Sequence, residues 1–64
     1  MNRVKEYRKA KGITQEELGI RCGTTKSYIC EIERNGKTPN VYLAQKLAKE
    51  LRVSVAKLFP LEVE

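Results

Sequence analysis

The stretch Thr14-Gln15-Glu16-Glu17 has the form of a capping box: the Thr14 hydroxyl can accept from the Glu17 N–H, and the Glu17 carboxylate can accept in return from the Thr14 N–H. Ile13 before the cap and Leu18 four residues on can close a hydrophobic staple over it. The helix so opened must stop at Gly23, whose lack of a Cβ permits a left-handed turn. Thr24 or Thr25 then caps a further helix with almost no loop between. Two helices joined this tightly must cross steeply. Gly19 is small enough to let the second approach the first, and Ile29 and Ile32 can wedge the pair against its neighbours.

The rest of the chain offers helical partners for that crossing. Asn2 can cap a first segment running to Lys11, in which Val4, Tyr7 and Ala10 share a face and Gly12 ends the helix. In the segment after Thr25, Tyr28, Ile29 and Ile32 face inward. Lys26, Ser27, Cys30, Glu31 and Arg34 face outward. Asn35-Gly36 closes that helix and Lys37-Thr38-Pro39 is loop. Asn40 caps a fourth helix with a broad apolar band of Leu43, Ala44, Leu47, Ala48 and Leu51. Ser54 caps a short fifth, stapled by Val53 and Leu58 and stopped by Pro60. Leu61-Glu62-Val63-Glu64 alternates, as either a short strand or a frayed tail does. The expected fold is all-α, a compact five-helix bundle, with one domain over residues 1–60 and a tail over 61–64.

Composition narrows the chemistry. At 64 residues the chain makes one domain, and 41% hydrophobic content is enough for a small core. There is no His and no Asp, so the usual general bases, metal ligands and catalytic triads are missing. Two cysteines, Cys22 and Cys30, are too few for a four-ligand zinc site. No catalytic set, cofactor site or metal site is expected. No apolar run suits a membrane span or a signal peptide, which suggests a cytoplasmic protein with reduced thiols. Thirteen Lys and Arg against eight Glu leave a net charge of +5, which points to a polyanionic partner. The excess is concentrated in residues 1–12 and 46–57.

Residues Ile13 to Gly19, Gly23-Thr24-Thr25, Ile29, Ile32, Glu33 and Asn35-Gly36-Lys37 together resemble the helix-turn-helix of the phage Cro/C1-type (XRE-family) repressors. Pro39, Leu43, Leu47-Ala48, Leu51 to Val55 and Leu58-Phe59 are similar to that family's fourth and fifth helices. The resemblance covers residues 3–59, nearly the whole chain. It departs where Gly19 replaces the family's usual Ala, and near Arg34-Asn35, where there is one residue more than in the shortest phage repressors.

The resemblance implies a lambda-repressor-like domain that binds double-stranded DNA, with its third helix in the major groove. The base-contacting residues would be Thr25, Lys26, Ser27 and Glu31. Lys26 can donate to guanine O6 and N7, and Ser27 can donate or accept. Glu31 is either a reader of the cytosine N4 amine or an intrahelical partner of Lys26 or Arg34. Gln15 matches the family position that grips a phosphate, at a helix N-terminus that itself favours anions. Arg34, Asn35 and Lys37 would hold the backbone on the other side. Arg8 and Glu33 match positions that form an ion pair between the first and third helices, which either orients the recognition helix or only satisfies two partly buried charges.

The cysteines read separately. Cys22 takes an apolar core position and should be an inert thiol. Cys30 lies one turn from the base-facing residues, and only Lys26 and Arg34 would lower its pKa toward a redox role. The function expected is a sequence-specific repressor acting as a symmetric homodimer, formed either in solution or only on DNA. Val55, Leu58, Phe59, Leu61 and Val63 offer apolar surface for that contact, with Phe59 as the member best placed to complete the core instead. The alternative is an antitoxin or partner-controlled module of the same fold, binding a toxin or regulator protein.

Overall fold

The computed structural model describes residues 2–60. The expected strand or tail at Leu61–Glu64 lies outside the described residues. Five helices follow one another along the chain: α1 (Val4–Ala10), α2 (Gln15–Cys22), α3 (Lys26–Asn35), α4 (Val41–Leu51) and α5 (Val55–Leu58). No strand occurs among the described residues.

The local chemistry read from the sequence sets most of the helix starts. Thr14 Oγ1 accepts from the Glu17 N–H at 3.0 Å, and Glu17 Oε1 accepts from the Thr14 N–H at 2.8 Å, completing the capping box of α2. Thr25, Asn40 and Ser54 cap α3, α4 and α5 by accepting from the N–H three residues on. The start of α1 differs from expectation. Arg3 occupies the cap position without a side-chain bond, and Asn2 stands one residue outside. Asn2 Oδ1 still accepts from the Val4 N–H at 3.1 Å, while its Nδ2 donates to the Ile32 carbonyl at 2.8 Å. The residue expected to cap one helix thus also fastens α1 to α3.

The core is built from Val4, Leu18, Cys22, Ile29, Ile32, Leu43, Leu47, Ala48, Leu51 and Leu58, with Tyr7, Ile13, Tyr28, Val53 and Phe59 packed around it. Two expected positions change. Ala10 is exposed, and the inward place at that end of α1 goes to Arg8, one turn after Val4, where its expected pairing with Glu33 holds it buried. Leu58, not Phe59, is the fully buried member at α5. Leu58 is therefore unavailable to a second chain. The Arg3 N–H donates to the Leu58 carbonyl at 2.9 Å and brings the start of α1 against α5.

The α2–α3 crossing depends on two glycines. Gly23 adopts φ 75°, a left-handed conformation that L side chains rarely accept. A Cβ at Gly19 would lie 2.9 Å from the Thr25 carbonyl carbon and 3.2 Å from the Lys26 backbone nitrogen. The first turn of α3 rests directly on α2 there. Arg52 ends α4 at φ 59°, a non-glycine residue in left-handed space that no sequence signal announced.

Gly19→Val should lower stability by about 2 kcal/mol or more, since its branched side chain meets backbone rather than a movable side chain; urea denaturation followed by circular dichroism measures this. Burial, with Glu50 nearby, raises the Cys22 thiol from 9.0 to about 11. The neutral thiol is the form the fold prefers, so stability should be intact below pH 9 and fall as pH climbs from 9 toward 11, where the unfolded chain has ionised and the folded one has not. Comparing melting temperatures of wild type and Cys22→Val across that range isolates the loss, which the variant should lack.

Candidate nucleic-acid interface

Charge buried between helices fixes the attitude of α3. Arg8 Nε donates to Glu33 Oε2 at 2.7 Å and Nη2 donates to Glu33 Oε1 at 3.1 Å. The two side chains are only 9% and 3% exposed. Arg8 Nη1 also donates to the Ile13 carbonyl at 2.9 Å, in the link before α2, and Gln15 Nε2 donates to Glu33 Oε1 at 3.0 Å. Arg8 on α1, Gln15 on α2 and Glu33 on α3 therefore meet in one network. Among the described residues no buried side-chain polar atom lacks a partner. A bidentate Arg–carboxylate pair is directional, so the network fixes rotation of α3 as well as its distance.

With Ile29 and Ile32 inward, the opposite side of α3 is left open. Lys26, Ser27, Glu31, Arg34 and Asn35 are exposed, and all five line one shallow depression together with half-buried Cys30. Thr25 is exposed at its edge; its hydroxyl oxygen accepts from the Tyr28 N–H at 3.1 Å, which leaves the hydroxyl proton free to donate. Gln15 lies between two further depressions. It shares one with Thr14, Glu16 and Lys26, and the other with Lys5, Cys30, Glu33 and Arg34. One amide proton of Gln15 is taken by Glu33, and the second is free for another acceptor.

Glu31 has a partner that the sequence reading did not name. Neither Lys26 nor Arg34 pairs with it. Lys37, returning from the turn after α3, places Nζ 3.4 Å from Glu31 Oε1 and 5.2 Å from the centre of the Tyr28 ring. Lys5, part of the basic excess in residues 1–12, shares a depression with Gln15 and Arg34. Its spacing of three from Arg8 is the signal that places it at this edge once Arg8 is known to point inward.

Among the described residues no group of three His, Cys, Asp or Glu side chains is arranged to hold a metal ion. No described helix is long and apolar enough to cross a membrane. The open face of α3 is a polar ridge of donors with one carboxylate acceptor, Glu31, among them, and with cations on both flanks.

Comparison with known proteins agrees with this architecture. A family model described as helix-turn-helix matches residues 4–58. The HTH-type transcriptional regulator SinR of Bacillus subtilis is 44% identical over 54 residues, covering 83% of this chain and 49% of SinR. The chain thus spans about half the length of that relative. YgzD, an uncharacterized HTH-type transcriptional regulator of Bacillus subtilis, is 36% identical over 63 residues, covering 98% of this chain and 96% of its own. Among solved structures, the N-terminal DNA-binding domain of SinR superposes with a TM-score of 0.82 at 40% identity, covering 97% of this chain and 91% of that one. The restriction-modification controller protein C.AhdI of Aeromonas hydrophila gives 0.80 at 35% identity, covering 89% and 83%.

Arg8→Ala leaves Glu33 buried without its cation and should cost about 3–5 kcal/mol, enough to unfold much of a domain this small. The joint replacement Arg8→Met with Glu33→Leu should recover most of the loss, because no uncompensated charge remains. Thermal melts of the single and double variants check both.

Proposed function

Because the chain belongs to the helix-turn-helix family of transcriptional regulators, we propose that it is a sequence-specific double-stranded DNA-binding repressor that reads the major groove with α3. The observation that carries this reading is the open face of Lys26, Ser27, Glu31 and Arg34 on a helix held by the buried Arg8–Glu33 pair. Lys26 and Ser27 stand in the first turn of α3, the part of a recognition helix that reaches base edges. Thr25 adds a hydroxyl donor at their edge, and Glu31 stands one turn further on. Gln15 grips phosphate on one side with its free amide proton and with the N-terminus of α2. Arg34, Asn35 and Lys37 do so on the other. The reading assigns no catalytic step and no cofactor, and it places the protein in the cytoplasm with the DNA it regulates.

One such module buries only about 600–1,000 Å² on DNA, too little for high specificity, and two on a symmetric site repair this. The contact we assign to the second copy is the apolar groove lined by Pro39, Val41, Ala44, Val55 and Phe59. Val41 is 74% exposed and Val55 36%, and of the four exposed large hydrophobics among the described residues these two share one groove, with Ile20 and Tyr42 outside it. A dimer reading two half-sites one helical turn apart holds its two α3 helices ~34 Å from each other.

Selection of bound duplexes from a random pool at stated salt should return a two-fold symmetric site with half-sites one helical turn apart. Lys26→Ala should flatten the preference at one or two base pairs, by about 1–3 kcal/mol. Gln15→Ala should weaken all duplexes alike. Log affinity should fall with log salt at a slope of roughly −4 to −5 per subunit. Equal losses on every sequence from both variants would show that α3 is not the reading helix.

A further inference from the structure

A carboxylate in the middle of a DNA-reading face is a liability, since it approaches a polyanion. Glu31 occupies that place, and its side chain is 52% exposed. Three features bring a single cation to it. Gly36 turns the chain left-handed at φ 70°, reversing its direction after α3. The Lys37 N–H then donates to the Glu31 carbonyl at 3.4 Å, and Lys37 Nζ sits 3.4 Å from Glu31 Oε1. The Lys37 ammonium also stands 5.2 Å from the centre of the Tyr28 ring, within cation–π range. Lys37 thus touches the reading helix at residue 31 through backbone and side chain, and at residue 28 through the ring.

We propose that Lys37 is a positioning residue for sequence readout: its ammonium cancels the charge of Glu31 and holds one carboxylate oxygen, leaving Oε2 to accept from a base amine in the major groove. The proposal rests on the DNA-reading function argued above and reassigns Lys37 within it, from a phosphate clamp to a partner of Glu31. The chemistry of the acceptor restricts the target. A carboxylate oxygen accepts and does not donate, so it selects an exocyclic amine, that of cytosine N4 or adenine N6, and rejects the carbonyl edges of guanine and thymine. Without Lys37 the same carboxylate keeps its full charge and a free rotamer. It is then repelled by the phosphates on either side, and its preference for one base is lost along with its placement.

A phosphate clamp and a positioning residue predict different outcomes for the same substitution. Binding of the full chain to its selected duplex, and to duplexes changed one pair at a time, is measured for wild type, Glu31→Ala, Lys37→Ala, Lys37→Arg and Glu31→Ala with Lys37→Ala. All of these positions are exposed, and melting curves confirm that the variants fold. Glu31→Ala should reduce discrimination at one base pair from about tenfold to under about twofold. Lys37→Ala should flatten the same pair and leave the others intact. The double variant should discriminate no worse than Glu31→Ala alone, and Lys37→Arg should retain part of the preference. If Lys37→Ala weakens every duplex equally, lowers the salt slope by about one and leaves discrimination at that pair unchanged, Lys37 is a phosphate contact and the proposal is overturned. It is equally overturned if Glu31→Ala alters no pair. A wild-type chain with no preference at any pair is a separate result: it removes the DNA-reading function itself.

Discussion

A charge buried between three helices governs this molecule. Arg8 and Glu33 lie 25 residues apart, nearly dry, and joined through two nitrogens of one guanidinium. A hydrophobic contact in the same place would hold α1 and α3 together but tolerate sliding and rotation. The planar fork accepts one orientation. Gln15 and the Ile13 carbonyl complete the bonding, so the entry to α2 is tied to the same point. The buried Ile29 and Ile32 leave the other side of α3 outward, and the helix is held at that rotation by the ion pair. Breaking one half of it removes stability and orientation together.

The steep crossing of α2 and α3 is the second constraint, and it operates by absence. At Gly19 there is no room for a methyl group beside the Thr25 carbonyl without displacement of one backbone against another. A glycine inside a helix costs about 1 kcal/mol relative to alanine. The cost is accepted where α3 begins, and the cap of α3 is set by the same contact. Since Lys26 and Ser27 follow that cap directly, the position of the exposed first turn of α3 depends on a side chain that α2 lacks.

Features decided by neighbours in sequence were legible. The capping box of Thr14 and Glu17 and the caps at Thr25, Asn40 and Ser54 each need only a side-chain oxygen and an amide three residues away. Features decided by tertiary packing were not. On α1 the period alone carried the inward stripe on to Ala10, which is exposed; the Arg8–Glu33 pair that takes the inward place was readable only through the family resemblance. Leu58 and Phe59 are adjacent apolar residues at the end of a one-turn helix, and their order of burial is set by what lies opposite. Arg52 adopts its left-handed conformation with no glycine to advertise it. Glu31 was read against residues of its own helix, whereas its partner lies six positions away across a turn. The helix-turn-helix frame was therefore visible in the sequence, and the fine pairing on its reading face was not.

The bond from the Arg3 amide to the Leu58 carbonyl spans 2.9 Å and joins the first helix of the bundle to the last. Among the described residues the bundle therefore closes on itself: pulling α5 away strains the start of α1, and through the Asn2 bond to the Ile32 carbonyl that strain reaches α3, so segments far apart in sequence share one mechanical fate.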